Sequence, residues 1–307
     1  MDSFIPFTHE QPKMLIGSCF SDEIGRILAQ NGFDCLCNPG GTLFHPLAIA
    51  RLLNWALDEP SPLRHFQRHD VFLSWDLSGT FYAMSATAFE QKTNALHQNL
   101  RNYLQSSSHL IITFGTSWAY FLPEDQQLVA NCHKAPAKTF RKELTEEAVM
   151  KVEWLRLVER LAAKNPQQRL IFTVSPVRHI KDGLIENNRS KARLLLLTEH
   201  LSTLPNCTYF ESYELVIDVL RDHIYFKEDG VHPNQKAINE VWELFQSQML
   251  DQTTQQLLKE WAAIQKSKSH RLLYPESIQA KQLQSELIEK ERVFLKKHPF
   301  FKDSTPA

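Results

Sequence analysis

Short apolar runs alternate along the chain with longer segments in which apolar residues recur at helical spacing. Met14, Leu15 and Ile16 form a continuous run that Gly17 ends, and this pattern predicts a strand over residues 13 to 17. Similar runs predict three further strands, over residues 109 to 114, 169 to 174 and 208 to 210. Helical spacing predicts helices over residues 20 to 31, 46 to 57, 88 to 105, 145 to 164, 190 to 204 and 235 to 250.

The alternation of strands and helices predicts an α/β protein with a mainly parallel sheet that helices cover on both faces. Residues 71 to 75 and 80 to 84 predict a small hairpin around Ser78 and Gly79. Residues 115 to 140 predict a long irregular connection, of the kind that is often functional.

The last part of the chain has a different pattern. From Asp251 onward it is rich in Gln, Lys, Glu and Leu, and it has no strand signal. Two helices are predicted, over residues 252 to 266 and 277 to 296, separated around Tyr274 and Pro275. We therefore expect a domain of residues 1 to 250 and a helical extension of residues 251 to 307, which packs on the core or on a partner and offers a route to oligomers.

Composition narrows the class of partner. The chain has 307 residues, of which 43% are hydrophobic and 22% charged, and its formal net charge is −1. A near-neutral chain gives no argument for nucleic acid or an anionic membrane as the main partner. No apolar run approaches the length of a membrane span. The first four residues lack the features of a secretory signal, which favours a cytoplasmic protein.

The five cysteines are an odd number without an export signal, which favours reduced thiols. A zinc site from Cys35, Cys37, Cys132 and His133 is conceivable, but a Cys-x-Cys spacing is a poor match to known zinc sites. Free thiols are the favoured interpretation, and no metal or organic cofactor is expected.

Two motifs more than 200 residues apart carry the candidate chemistry. Residues 16 to 21 read Ile-Gly-Ser-Cys-Phe-Ser, and residues 229 to 234 read Asp-Gly-Val-His-Pro-Asn. Because ligands of parallel sheets bind beyond the carboxyl ends of the strands, both motifs are expected at one edge of the sheet. A candidate nucleophile early in the chain and a candidate base late in the chain suggest an acyl-transfer or hydrolytic site.

Cys19 is the first candidate nucleophile. A thiol at a helix start lies at the positive end of the helix dipole, and a neighbouring His lowers its pKa further. The alternative is a small residue that fills space behind the first strand. Ser18 is the rival nucleophile, although capping of the helix or support of an oxyanion is the favoured role for its hydroxyl.

His232 is the candidate general base, and Asp229 is the carboxylate that orients its ring. Asp229 could instead cap a turn or the following helix. Further candidates lie in loops. Gly40, Gly41 and Asn38 are candidate oxyanion donors, although a plain glycine turn is the favoured interpretation of the residues alone.

The remaining loop candidates are charged or aromatic. Arg178 either binds an anionic substrate group or organises its loop by hydrogen bonds to the backbone. For His133 the organising role is favoured. Trp118 and Tyr120 either line a sugar- or acyl-binding cleft or anchor an irregular segment.

The chain resembles the GSCFA family over about residues 12 to 250, through an ordered series of motifs. These are Gly17-Ser18-Cys19-Phe20-Ser21, Asn38-Pro39-Gly40-Gly41 with His45-Pro46, Phe114-Gly115-Thr116-Ser117-Trp118, Asn131-Cys132-His133-Lys134, Thr173-Val174-Ser175-Pro176-Val177-Arg178-His179 and Asp229-Gly230-Val231-His232-Pro233. Ser21 stands where the family usually has Ala. The family itself resembles a branch of the SGNH, or GDSL-like, hydrolases, which implies a three-layer α/β/α flavodoxin-like fold.

That resemblance also implies site roles. Cys19 falls on the nucleophile of the usual Gly-Asp-Ser signature, and Ser18 falls on the preceding Asp. The usual Gly-x-Asn block, which supplies an oxyanion-hole Asn, is absent, so Thr116, Ser117 or Asn131 is expected to substitute, or the hole is built differently.

The expected function is an acyl hydrolase or acyltransferase that forms a covalent acyl intermediate with a small-molecule or carbohydrate-linked substrate. The alternatives are a binding module without catalysis on the same fold, and an interaction protein whose helical tail docks a partner.

Overall fold

Five parallel strands form the central sheet of the protein, which a computed structural model describes over residues 6–268 and 274–302. The strands in chain order are β1 (Lys13–Gly17), β2 (Cys35–Cys37), β3 (Phe66–Arg68), β4 (Val71–Leu73), β5 (His109–Phe114), β6 (Trp118–Phe121), β7 (Leu128–Val129), β8 (Arg141–Leu144), β9 (Arg169–Val174) and β10 (Cys207–Tyr209). The central sheet has the order β10-β9-β5-β1-β2. All four of its strand pairs are parallel, which confirms the predicted sheet.

Helices follow the strands in the predicted order. They are α1 (Cys19–Gln30), α2 (Pro46–Leu57), α3 (Ala86–Ser106), α4 (Glu147–Lys164), α5 (Leu184–Ser202), α6 (Ser212–Glu214), α7 (Gln235–Met249), α8 (Gln252–Lys268) and α9 (Ile278–Lys297). The predicted bounds are close except at α5, which begins six residues before the expected start at 190. The short α6 continues into a π-helical segment, Leu215–Val219.

The two faces of the sheet bury separate cores. Alternate residues of a strand point to opposite faces, so Leu110 and Ile112 of β5 join one core while Ile111 joins the other. Helices α2 to α5 cover the first face, and α1 and α7 cover the second. The fold is therefore the expected three-layer α/β/α arrangement.

Three local predictions need correction. The hairpin turn lies at His69, between β3 and β4, and residues 80 to 84 add only the isolated bridge from Ala83 to Phe72. His69 adopts a positive φ of 55°, and tight hairpin turns require such backbone. The strand β2 was not predicted, because three residues at a sheet edge are too short to show a periodic pattern.

The segment predicted as irregular contains secondary structure of its own. Strands β7, β6 and β8 form an antiparallel sheet in that order. Because β8 occupies residues 141 to 144, helix α4 begins at Glu147, two residues later than expected.

The C-terminal helices pack against the end of α1. Trp261 of α8 is 4% exposed, and its indole N–H donates to the carbonyl of Gln30 over 3.0 Å. Phe294 of α9 and Phe301 complete a small apolar cluster with Trp261. Parts of the predicted extension, residues 269–273 and 303–307, lie outside the described residues, as do the first five residues of the chain. Among the described helices, none is both long enough and apolar enough to span a bilayer.

Candidate active site

The turn between β1 and α1 presents Cys19 at the carboxyl edge of the sheet. Gly17 has a φ of 143°, and a Cβ there would lie 2.2 Å from the carbonyl oxygen of Thr113. Only glycine fits this close approach. Ser18 follows, buried at 1% exposure, and its hydroxyl accepts from the N–H of Phe20 at 3.3 Å. The capping role expected for Ser18 is confirmed, and Cys19 is the first residue of α1.

Asn38 braces this turn from the neighbouring strand end. Its side-chain oxygen accepts from the Gly17 N–H at 2.8 Å, and its amide nitrogen donates to the Asp22 carboxylate at 2.7 Å. Asn38 is 8% exposed and has a φ of 41°, which Asn tolerates better than most residues. Both polar atoms of the side chain are therefore used within the fold.

The late motif forms an ordered Asp–His pair. One oxygen of Asp229 accepts from the N–H groups of Val231 and His232, at 2.9 and 3.0 Å. The other oxygen lies 2.6 Å from Nδ1 of His232. These bonds lower the pKa of Asp229 to about 2, with the backbone N–H groups as the main cause. Because an ionised Asp229 only accepts, Nδ1 carries the proton, and Nε2 of His232 is left as a base.

A cleft of about 450 Å³ brings the two motifs together. Its walls include Cys19 and His232, as well as Thr116, Trp118 and Arg178 from other loops. In the described part of the chain, no hydrogen bond joins the Cys19 thiol to the His232 ring in this state. The cleft therefore holds Cys19 and His232 in a common space without a preformed hydrogen bond between them.

The thiol of Cys19 is not acidified in this arrangement. Burial raises its pKa above the ordinary value of 9.0, and the nearby Asp22 carboxylate raises it further. Lys227 opposes this effect. Contrary to the expectation that the helix start and His232 lower it, the pKa of the Cys19 thiol is raised, because desolvation and the Asp22 carboxylate outweigh the lowering by the Cys19 backbone N–H and by Lys227.

The glycine loop does not reach the cleft. The Gly41 N–H donates to the carbonyl of Asn38 at 2.7 Å, and a Cβ at Gly41 would lie 2.3 Å from the Cβ of Ser78. Gly40 packs against Leu77. The loop is a tight structural turn, so the structure does not bring Gly40 and Gly41 to the oxyanion position considered for them.

Asn131 and His133 organise a neighbouring loop. The side-chain oxygen of Asn131 accepts from the His133 N–H at 2.8 Å. The His133 ring bonds through Nε2 to the carbonyl of Ser74 at 2.7 Å, and it packs 5.4 Å from the Trp75 ring. Neither residue lines the cleft, and the organising role that we favoured for His133 agrees with these contacts.

Of the two candidate residues in the β5–β6 connection, Thr116 lies in the cleft and Ser117 lies beneath it. Thr116 lines the cleft, and its hydroxyl oxygen accepts from the Trp118 N–H at 3.1 Å and lies 3.0 Å from the Ser190 hydroxyl. Ser117 is fully buried, and both its N–H and its hydroxyl bond to Ser190. Of the residues proposed to replace the missing Asn, Thr116 alone faces the cleft.

Arg178 bonds to the turn that carries His232. Its N–H donates to the carbonyl of Val231 at 3.3 Å, and its guanidinium donates to the carbonyl of Gly230 at 3.4 Å. The guanidinium also lies 4.7 Å from the centre of the Phe226 ring. Arg178 thus lines the cleft but is partly occupied in holding the turn that carries His232.

Three functional candidates were missed from the sequence: His45, His179 and Lys191. His45 and His179 line the cleft, and burial lowers the pKa of each to about 4, so both are neutral at ordinary pH. Lys191 is buried beneath the loops that form the cleft and bonds to the carbonyls of Gly115 and Ser175. A signal for its burial existed, since Lys191 shares helical spacing with Leu194 and other apolar positions of α5.

An aromatic wall closes one side of the cleft. Trp118 and Tyr120 of β6 both line it, as one interpretation of the sequence expected. The ammonium group of Lys142, from β8, lies 4.5 Å from the Trp118 ring centre and forms an ion pair with Asp182. The small antiparallel sheet therefore contributes apolar surface to the cleft, and the Lys142 ammonium packs against the Trp118 ring.

The second groove and the remaining cysteines offer less support for a functional site than the cleft does. A larger open groove of about 820 Å³ lies between α2 and α4, but apolar side chains such as Val149 and Val152 form much of its surface. The cysteines are free thiols, and those of Cys35 and Cys37 bond to backbone carbonyls of α1. Within the described ranges, no three His, Cys, Asp or Glu side chains are grouped so that they could hold a metal ion.

Solved esterase structures resemble the fold at low sequence identity. A carbohydrate esterase family 3 protein from Talaromyces cellulolyticus has 9% identity and a TM-score of 0.38, with 81% of this chain and 99% of that chain covered. An acetyl esterase mutant with an acetate ion has 10% identity and a TM-score of 0.37, with the same coverage. An acetyl xylan esterase from the rumen bacterium Butyrivibrio proteoclasticus has 10% identity and a TM-score of 0.38, with 79% and 65% covered.

No curated protein matches the chain. The sequence profile of the GSCFA family, by contrast, matches residues 13–245, which span the whole central sheet and both site motifs. The chain therefore belongs to the GSCFA family.

Proposed function

We propose that the protein is an acyl hydrolase or acyltransferase in which Cys19 forms a covalent acyl intermediate. The observation that carries the proposal is the ordered Asp229–His232 pair, whose free Nε2 belongs to the same cleft as Cys19. An ionised carboxylate that fixes the tautomer of a His beside a nucleophile is the arrangement that acyl transfer requires.

The first step is attack with general-base assistance. Because the thiol is protonated at neutral pH, Nε2 of His232 removes its proton as sulfur bonds to the acyl carbon. The carbonyl oxygen becomes an oxyanion, and its collapse breaks the bond to the leaving group, which takes the proton from His232. Water or an acceptor alcohol then loses a proton to His232 and attacks the thioester, which releases the acyl group and restores the thiol.

Thr116 is our candidate donor to the oxyanion. Its hydroxyl oxygen accepts from the Trp118 N–H, and it also lies within bonding distance of the Ser190 hydroxyl. When Ser190 donates to it, the hydroxyl proton of Thr116 is free to point into the cleft. The backbone N–H of Cys19, at the start of α1, supplies the second donor.

The proposed substrate is an acyl ester or thioester. For a carbohydrate-linked substrate, the rings of Trp118 and Tyr120 offer apolar surface on which a sugar packs. The half-buried free thiols fit a reducing compartment, so we place the protein in the cytoplasm.

The test is turnover of p-nitrophenyl acetate, p-nitrophenyl butyrate and acetyl-coenzyme A by wild type and variants. We expect His232→Ala and Cys19→Ala to lower kcat/KM about 100-fold or more on every accepted substrate. His200→Ala and Cys207→Ala, which lie outside the cleft, serve as matched controls and should stay within about twofold of wild type. Unchanged turnover in His232→Ala on every accepted substrate would disprove the proposal.

A binding module without catalysis is the second candidate. The raised pKa of the Cys19 thiol and the absence of a hydrogen bond between Cys19 and His232 favour it. This alternative predicts a ligand that binds in the cleft and is recovered unchanged. Steady multiple turnover that Cys19→Ala abolishes would exclude it.

The C-terminal helices are a proposed surface for self-association. Ile278 and Ile288 of α9 are 77% and 63% exposed. Light scattering of the full chain and of Ile288→Lys tests this proposal, since an oligomer built through α9 should dissociate in the variant. A wild-type monomer would rule it out.

A further inference from the structure

His179 is a half-buried histidine that lines the cleft but has no role in the proposed acyl transfer so far. It shares the cleft with Cys19 and His232. Among the described residues, none forms a hydrogen bond with either nitrogen of this ring, and neither nitrogen is fully enclosed by protein. Because an imidazole that is half-buried without partners has lost hydrogen bonds to water, a bound ligand can supply what the ring lacks.

The backbone on both sides of the ring is fixed. The His179 N–H donates to the side-chain oxygen of Asn187 at 2.8 Å, and Asn187 is buried on α5. The N–H of the preceding residue, Arg178, donates to the carbonyl of Val231 at 3.3 Å. The ring therefore projects from a loop that is tied both to α5 and to the turn that carries His232.

The ring also packs beside the candidate oxyanion donor. The rings of His179 and Phe44 meet edge to face, with their centres 5.9 Å apart. The carbonyl of Phe44 accepts from the Thr116 N–H at 3.1 Å. His179 therefore lies between the Thr116 side of the cleft and the turn of His232. In the proposed reaction the acyl oxygen points to this part of the cleft, because Thr116 is its candidate donor.

The ring is suited to donate a hydrogen bond without giving up its proton. Burial lowers the pKa of His179 to about 4, so the ring is neutral at pH 7 and has one N–H group and one bare nitrogen. The N–H of a neutral imidazole can polarise a carbonyl, and its hydrogen bond strengthens as the oxygen becomes negative. A donor of this kind is what the missing Gly-x-Asn block would have supplied.

We propose that His179 is a further catalytic residue, which donates a hydrogen bond to the acyl oxygen beside Thr116 in place of the missing Asn. The inference rests on the proposed function, since an oxyanion forms only where an acyl carbonyl is attacked. His179 keeps its proton throughout the reaction, and His232 is the group that moves one.

The test is steady-state hydrolysis of p-nitrophenyl acetate and p-nitrophenyl butyrate by His179→Ala and His179→Gln. His179→Ala should lower kcat about 100-fold while KM stays within about threefold of wild type, because the lost bond is strong only in the transition state. His179→Gln should recover at least about tenfold of that loss, since its side-chain amide supplies an N–H donor. Equal losses in the two variants would mean that the ring serves packing alone.

His65 provides a matched control outside the cleft. It is also half-buried, and its ring meets that of Phe72 edge to face with the centres 5.8 Å apart. His65→Ala should keep kcat within about twofold of wild type even where it lowers the melting temperature as much as His179→Ala does. Melting curves by circular dichroism check that a loss at His179 is not a loss of folded protein.

The pH profile of kcat/KM separates a donor from a base. In His179→Gln the acid limb should keep its midpoint, because His232 remains the base. Unchanged kcat in His179→Ala, or loss of the acid limb in His179→Gln, would overturn the inference. If His179→Ala keeps full turnover while His232→Ala and Cys19→Ala lose it, the inference fails and the proposed function stands. If all three variants keep full turnover, both fail.

Discussion

The role of Asn38 gives the sharpest test of how the site is built. The sequence made Asn38 a candidate donor to an oxyanion, but its side chain bonds to the Gly17 N–H and the Asp22 carboxylate. We predict that Asn38→Ala destabilises the whole protein, because it removes the brace of the turn that presents Cys19.

The magnitude follows from three losses. The buried Gly17 N–H, bonded at 2.8 Å, would be left without an acceptor, which costs about 1–3 kcal/mol. Alanine at a φ of 41° adds about 1 kcal/mol, since left-handed backbone penalises a Cβ. Asp22 also loses a donor, so its pKa, which burial already raises, should rise further. The expected loss of unfolding free energy is about 2–4 kcal/mol.

Asn38→Gly separates the lost hydrogen bond from the backbone strain. Glycine accepts the positive φ, so this variant should lose about 1 kcal/mol less unfolding free energy than Asn38→Ala. Equilibrium unfolding in urea measures both variants, with unchanged m-values as a check that the transition is comparable. Asn102→Ala, on the exposed face of α3, is the control and should stay within about 0.5 kcal/mol of wild type. A large loss of turnover in Asn38→Ala with unchanged unfolding free energy would refute the brace and restore the role in the oxyanion hole.

Three further predictions concern Asp229, the buried His9 and the C-terminal helices. Asp229→Asn should lower kcat about 100-fold or more, because the Nδ1–H of His232 loses the carboxylate that fixes its tautomer. Steady-state kinetics at pH 7 measures this loss, and circular dichroism checks that the variant is folded. His9 is 3% exposed, and burial lowers its pKa to about 4. The His9 ring therefore binds a proton below about pH 6.5 in the unfolded chain, but only below about pH 4 in the folded chain. The free energy of unfolding should fall as the pH drops through that window, by up to about 3 kcal/mol. Urea unfolding of wild type and His9→Phe at several pH values measures this fall. Trp261→Ala should lower the free energy of unfolding by about 3–5 kcal/mol. Hydrogen exchange should then become faster at the C-terminal end of α1. Faster exchange confined to α8 and α9 would mean that the C-terminal helices unfold alone.

The sequence predicted the central sheet because its long strands are almost continuously apolar. All six residues of β5 are buried, and so are the last five residues of β9. The three residues of β2 lie at the edge, where partial exposure leaves no pattern to detect. The small sheet of β6, β7 and β8 escaped for a similar reason, since its short strands mix aromatic and charged residues.

The candidate site was predictable where position alone decides it. Cys19 follows a strand end, and Asp229 and His232 share one turn, so chain order and fold class were enough to bring them together. The environment of each group was not predictable. Helical spacing signals the burial of Lys191, but its acceptor carbonyl at Gly115 is distant in sequence, and no local pattern connects the two residues.

The electrostatics of Cys19 define what the Asp229–His232 pair would have to do in the proposed reaction. Burial and Asp22 keep the thiol protonated in the resting state, while Lys227 acts in the opposite direction. A thiol of this kind differs from one that is already ionised, since an ionised nucleophile needs no base for its attack. In the proposed mechanism, proton removal by Nε2 of His232 and carbon–sulfur bond formation are therefore coupled. It follows that the rate of acylation should depend on His232 even for activated esters with good leaving groups, for which a preformed thiolate would not need a base.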